Sequence, residues 1–100
     1  MEKYDIAIIG CGFVGSHLAK YLSKFYSLKT FDVSHQPDSL KEYKILHQIC
    51  NIHDKEKLYK DIGNPSIIIH TVVLDVTKIN QNKHMSYETN ILGTQNVCEI

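Results

Sequence analysis

The segment Gly10-Cys11-Gly12-Phe13-Val14-Gly15 follows directly on Ile6-Ala7-Ile8-Ile9, and this junction restricts the fold more than any other feature of the chain. An unbroken apolar run ended by glycine is the pattern of a strand buried on both faces. After the glycines, from about Gly15 to Tyr26, Leu18, Leu22 and Phe25 recur at helical spacing, with Ala19 and Tyr21 beside them and lysines between. A strand, a G-x-G-x-x-G loop and a helix in that order predict a dinucleotide cradle. Gly10 makes the tight turn, Gly12 lets the backbone approach a pyrophosphate, and Gly15 lets the helix pack close to the strand. The pyrophosphate would rest on the free N–H groups and positive dipole end of the helix, with Phe13 and Val14 contributing backbone amides whatever their side chains do.

The loop has a partner at the expected distance. A second short strand, Leu28 to Val33, carries Asp32, 22 residues beyond Gly10. A carboxylate at that place accepts hydrogen bonds from both ribose hydroxyls of an adenosine and repels a 2′-phosphate. Val33, Ser34, His35 and Gln36 follow it, and the chain has no arginine at all. NAD is therefore favoured over NADP.

The remaining pattern predicts a Rossmann-type, doubly wound parallel α/β sheet, its N-terminal part only, with about four strands. Ser34 to Glu42, containing Pro37, reads as a loop. A third strand fits Lys44 to Cys50, and Asp54 caps a helix running to Ile62, which Gly63-Asn64-Pro65 stops. Ser66 to Val73 is the most β-prone run and the expected fourth strand. Without a fifth strand beside it, that run would be an open sheet edge, inviting pairing with a second copy. Lys83 to Ile100 reads as helix. The whole of 1–100 is expected to be one NAD(P)-binding domain, cut short at its C-terminal side.

Composition narrows the partners. Eleven basic and eleven acidic side chains cancel, which excludes a nucleic-acid surface or a polybasic membrane patch. The N-terminus has neither a signal peptide nor a membrane span, and three scattered cysteines form no disulfide framework, so a cytoplasmic setting is expected. His47, Cys50 and His53 have metal-like spacing, but positions three apart on a strand face opposite sides of the sheet. No metal site is expected. Cys11, His17 and His70 read as ordinary loop, surface and hydrogen-bonding residues rather than reactive groups.

Beyond the glycine loop, the residues resemble the extended short-chain dehydrogenase/reductase superfamily, the NAD-dependent epimerase/dehydratase group acting on nucleotide sugars. Gly10 to Gly15 followed by Ser16-His17-Leu18 is similar to that group's glycine loop and helix start, with Ile9 where the group usually has a further glycine. Asn51-Ile52-His53-Asp54 resembles its Asp-(Ile/Leu)-x-Asp segment, which implies that Asn51 and Ile52 hold adenine. Ile68 to Val73 resembles its fourth strand and turn, implying that Thr71, Val72 and Val73 lie over the cofactor, although Val72 and Val73 are bulkier than usual. Tyr87 to Asn96 resembles Tyr-x-x-Asn-x-x-Gly-Thr-x-Asn, implying that Asn90 reaches the cofactor.

The same resemblance implies a catalytic Tyr-x-x-x-Lys, and none of the six tyrosines has a lysine four positions on. No catalytic residue is assigned within the chain, and the 100 residues alone are expected to be inactive. Two readings stand at this point: the NAD-binding portion of a nucleotide-sugar epimerase/dehydratase-like oxidoreductase, or a non-catalytic dinucleotide-binding or interaction module. The cofactor is the expected partner in both. A nucleotide-sugar substrate is expected only if a C-terminal part completes the site.

Overall fold

The structure is a computed structural model that describes residues 3–72 and 82–100. Strand β1 (Ile6–Ile9) leads into helix α1 (Phe13–Leu22) and strand β2 (Leu28–Asp32). A 3-10 turn (Asp38–Leu40) precedes β3 (Leu46–Ile49), α2 (Lys55–Ile62) and β4 (Ile67–His70). The chain then forms α3 (Lys83–Tyr87), a π segment (Glu88–Gly93) and α4 (Thr94–Cys98). All strand pairs are parallel, in the order β3-β2-β1-β4. The expected four-stranded Rossmann-type sheet is present, and β4 stands at its edge.

Period-two alternation along the strands builds two cores, one on each face of the sheet. Ile6 and Ile8 pack with Leu28 and with Ala19, Leu18 and Leu22 of α1. Ala7, Ile9 and Phe31 pack on the other face with Leu58 and Ile62 of α2 and Val97 of α4. This is why β1 reads as continuously apolar: both of its faces are covered. Lys29, although charged, is buried in β2, with Nζ donating to the Asp61 carbonyl at 3.2 Å and lying over the Tyr4 and Phe31 rings. The Tyr4 hydroxyl donates to the Ile62 carbonyl, so Lys29 of β2 and Tyr4 just ahead of β1 receive the C-terminal end of α2.

Several boundaries differ from the sequence expectation. Helix α1 ends at Leu22, and turn bonds from Phe25 and Tyr26 N–H to the Leu22 carbonyl replace the helical ladder. Phe25 therefore lies exposed instead of continuing the Leu18–Leu22 face. Strand β3 spans four residues, fewer than Lys44 to Cys50. The expected loop Ser34 to Glu42 contains the 3-10 turn, whose Leu40 is fully buried against the α1 side of the sheet. Asp54 does cap α2, accepting from Lys57 N–H at 3.2 Å. The last helix starts at the expected Lys83, with the Asn82 side chain accepting from Met85 N–H at 3.0 Å.

Candidate functional site

A cleft of about 720 Å3 opens at the carboxyl ends of β1, β2 and β4, within the range of small-molecule and cofactor sites, roughly 300–1,000 Å3. Its location follows from the topology. Successive strands step to one side of β1 as far as β3, and β4 crosses to the other, so the loops splay apart at that switch. Gly10, Gly12, Phe13, Val14, Gly15, Asp32, Asn51, Ile52, Thr71 and Val72 all line it. Of the other expected site residues, Val73 lies outside the described residues. Asn90 sits on the π segment beside the cleft and is not among its lining side chains.

The three glycines behave differently from one another. Gly10 has φ near 100°, a region L side chains rarely adopt, and a Cβ there would strike the Thr71 hydroxyl. A Cβ on Gly15 would land on the Gly10 carbonyl oxygen, so only glycine lets α1 start this close to the strand end. A Cβ on Gly12 would meet nothing within 4 Å. The space over Gly12 is open and faces the cleft, which is the room a pyrophosphate needs. The first helical bond of α1 is Ser16 N–H to Gly12 carbonyl, 2.9 Å. The Phe13, Val14 and Gly15 amides precede it, Gly12 provides no side-chain cap, and the first turn carries no acid. This end of α1 is therefore electropositive and open to an anion.

Asp32 is held at the end of β2 by backbone donors. Its Oδ2 accepts from Cys11 N–H at 2.6 Å and its Oδ1 from Ser34 N–H at 3.2 Å. A carboxylate offers about four lone-pair sites, so each oxygen keeps capacity for a ligand hydroxyl. The Thr71 hydroxyl closes the opposite wall, donating to the Ile9 carbonyl at 2.9 Å, with the Gly10 carbonyl at 3.3 Å. Beyond Asp32 the cleft is lined by Val33, Cys50, Ile52 and Leu58, an apolar slot with Asn51 at its rim. The Asn51 carboxamide oxygen accepts from His53 N–H at 2.9 Å, which leaves the amide nitrogen as that side chain's remaining polar group.

The histidines and cysteines separate cleanly. His47 bonds Thr30 Oγ1 at 2.7 Å and the Ser34 carbonyl at 2.9 Å, His53 bonds Thr89 Oγ1 at 2.9 Å, and the Cys50 thiol points to the Asn51 carbonyl. These three do not converge. Burial pushes the Cys11 thiol up, with a hydrogen bond to Thr30 opposing and the Asp32 charge adding to the rise; that thiol is not activated. His17 contacts the Phe13 ring and carbonyl on the surface of α1. His70 bonds Thr94 Oγ1 at 2.9 Å, its Nδ1 is buried without a partner among the described residues, and burial lowers its pKa. His53, Met85 and Thr89 also line the cleft. Sequence reasoning missed them. His53 stands on the same loop as Asn51 and Ile52, and Thr89 meets that loop through a bond to a residue 36 positions away, which no local pattern in the sequence announces.

Comparison with known proteins gives this site a lineage. Residues 6–100 match the model of the 3-beta hydroxysteroid dehydrogenase/isomerase family. The chain belongs to that family. It falls within the short-chain dehydrogenase/reductase superfamily of the epimerase/dehydratase type. Sterol-4-alpha-carboxylate 3-dehydrogenase, decarboxylating, from Bos taurus is 31% identical over 98 residues, covering 97% of this chain and 26% of that protein. Among solved structures, UDP-glucose 4-epimerase of Thermotoga maritima superposes with a TM-score of 0.82 at 23% identity, covering 95% of this chain and 33% of the epimerase. WbmG of Bordetella bronchiseptica, solved in complex with NAD, superposes with a TM-score of 0.80 at 18% identity over 98% of this chain and 33% of its own. The chain thus spans between a quarter and a third of the length of these relatives. Among the described residues, no helix is long and apolar enough to cross a membrane.

Proposed function

We propose that this chain is the cofactor-holding part of an NAD-dependent oxidoreductase that interconverts a secondary alcohol and a ketone. The observation that carries the reading is the open space over Gly12, bounded by the uncapped start of α1 and by the Asp32 carboxylate. The Gly12-to-Gly15 backbone would hold the pyrophosphate, Asp32 the adenosine ribose, and Asn51 with Ile52 the adenine. Thr71, Val72 and Val73, together with Asn90, fall to the nicotinamide half. When bound, the nicotinamide supplies the hydride acceptor or donor. This chain's own contribution is to bind, orient and exclude water. The proton-transfer groups of the superfamily, a tyrosine and the lysine four residues after it, belong to a part of the protein outside these residues.

NAD is preferred to NADP on charge. A 2′-phosphate would sit against the Asp32 carboxylate, and Val33 to Gln36 supply no lysine or arginine to offset it. Two substrate classes are supported by the relatives. The family description and the bovine protein point to the ring alcohol of a sterol-like molecule, while the sugar epimerases point to a nucleotide sugar. The sterol-like alcohol is the stronger reading, because the epimerase likeness lies below 25% identity and speaks for fold alone.

Calorimetric titration with NAD+ and NADP+ tests the proposal. NAD+ is expected to bind more tightly, Asp32→Asn to narrow the difference, and Gly12→Val to abolish binding with the circular dichroism spectrum preserved. NADP+ binding as tightly as NAD+, or retained binding by Gly12→Val, would overturn it.

A further inference from the structure

The loop joining β3 to α2 forms the base end of the cleft, and the Ile52 side chain anchors it in the core shared with Phe31, Leu58 and Val97. Its internal bonds are those of a turn: Asp54 N–H to the Asn51 carbonyl at 3.0 Å, and His53 N–H to Asn51 Oδ1 at 2.9 Å. Three contacts from the last helix hold it from outside. Asn96 Nδ2 donates to the Ile52 carbonyl at 2.8 Å, and Thr89 Oγ1 bonds His53 Nε2 at 2.9 Å. Gly93 lets the helix come down on Ile52, since a Cβ there would overlap the Ile52 side chain. Thr89, Gly93 and Asn96 are spaced four and three apart, which places them on one helical face. The π segment carries the first two of these contacts and Asn96 follows in α4; π turns recur where a helix is adapted to a functional site.

We infer that Thr89, Gly93 and Asn96 are positioning residues that set the affinity of the cleft for the adenosine end of its ligand, by clamping the Asn51–Asp54 loop. The inference rests on the cofactor reading above and deepens it. Asn96 is the informative member because it does not line the cleft. Any effect it has on a ligand must pass through the Ile52 carbonyl. Without its donor that carbonyl loses its hydrogen bond to the helix, which loosens the backbone of Asn51 and Ile52 although the Ile52 side chain stays in the core. Gly93 contributes by shape: its missing side chain sets how closely the helix approaches the loop. Thr89 contributes through the imidazole of His53.

The experiment uses the whole chain, with AMP and NAD+ as probes and hydrogen exchange as a second readout. Asn96→Leu is expected to weaken AMP and NAD+ in parallel by about tenfold, the size of one lost buried hydrogen bond. It should raise exchange at Ile52, His53 and Asp54 while Ile8 and Ile9 stay protected. Thr89→Ser, which keeps the hydroxyl, should bind AMP more tightly than the isosteric Thr89→Val. AMP affinity of Asn96→Leu within twofold of the parent, or unchanged exchange at 52–54, would overturn the inference. If Asn96→Leu does not fold, hydrogen exchange in the Thr89 pair without ligand decides it: equal exchange at 52–54 in the Ser and Val variants overturns it, and faster exchange there in the Val variant sustains it. A parent chain that binds neither AMP nor NAD+ refutes the cofactor reading instead, and exchange at the loop then judges the clamp alone.

Discussion

Strands β1 and β4 lie side by side in register and are nearly the same in composition, Ile-Ala-Ile-Ile against Ile-Ile-Ile-His, yet they live in different environments. Every residue of β1 is buried. In β4, Ile67 is 53% exposed and the other three are half-buried. The difference is position in the sheet: β1 has neighbours on both sides and helices on both faces, whereas β4 has one neighbour among the described residues. Apolar sequence records that a strand can be buried; it does not record how completely a particular neighbour covers it. The two strand ends divide the site in the same way. The end of β1 is fixed by backbone and glycine geometry, and the end of β4 by side-chain bonds from Thr71 and His70.

The contrast can be broken most severely at the end of β1. Gly15→Ala should destabilise by roughly 4 kcal/mol or more, because the new Cβ meets the Gly10 carbonyl, a backbone atom that has no room to yield. That is a large share of the ~5–15 kcal/mol a small domain has, and urea denaturation measures it. Gly12→Ala, with nothing near its Cβ, should leave the same denaturation curve nearly unchanged.

Paired truncations sharpen the comparison next. Ile8→Ala should cost about 3 kcal/mol, since its side chain is wholly enclosed, and Ile69→Ala about 1 kcal/mol, since half-burial removes less surface from water. Equal losses at the two sites would show that β4 is covered as fully as β1 in solution. At the end of β4, Thr71→Val keeps the shape and removes the hydroxyl that bonds the Ile9 carbonyl. A loss of about 1 kcal/mol is expected in denaturation, with cofactor affinity falling in the same variant because the Gly10 turn loses its tie.

The smallest effect is a pH dependence from His70. Burial lowers its pKa in the folded protein, so the unfolded chain binds a proton first as pH falls below its ordinary value near ~6.5. Its neutral state is therefore part of the stable fold above that pH, and stability declines as pH drops through the lowered folded value. His70→Gln should flatten the urea midpoint measured between about pH 7.5 and pH 5 relative to the parent. A parent midpoint that rises on acidification would contradict the assignment.

What could be read from sequence was local. The glycine loop, Asp32, the Asp54 cap and the order of strands and helices each depend on residues within one or two elements, and periodicity or turn chemistry exposes them. The loop from Ser34 to Glu42 was legible as a loop, but the burial of its Leu40 was not, because one leucine in a polar stretch has no period to announce it. The end of α1 was overrun because Phe25 continues the helical spacing while neither glycine nor proline marks the stop. The grip of Thr89, Gly93 and Asn96 on the Asn51–Asp54 loop was hidden for a different reason: it joins residues about forty positions apart, through a carbonyl and a missing methyl group.

The pairing of β1 also has a consequence in time. Ile6 pairs on one side with Leu28, 22 residues on, and on the other with Ile67, 61 residues on. Closing the longer loop costs more chain entropy, and contacts so distant in sequence form late. A chain leaving the ribosome can therefore assemble β1, α1 and β2 while one flank of β1 is still bare. Thr71, whose hydroxyl fastens the Ile9–Gly10 turn, arrives only after β4 has been made. The glycine turn is thus drafted early by its own residues and locked by one synthesised some sixty positions later, so the end of β1 takes its final form with β4 rather than with β1.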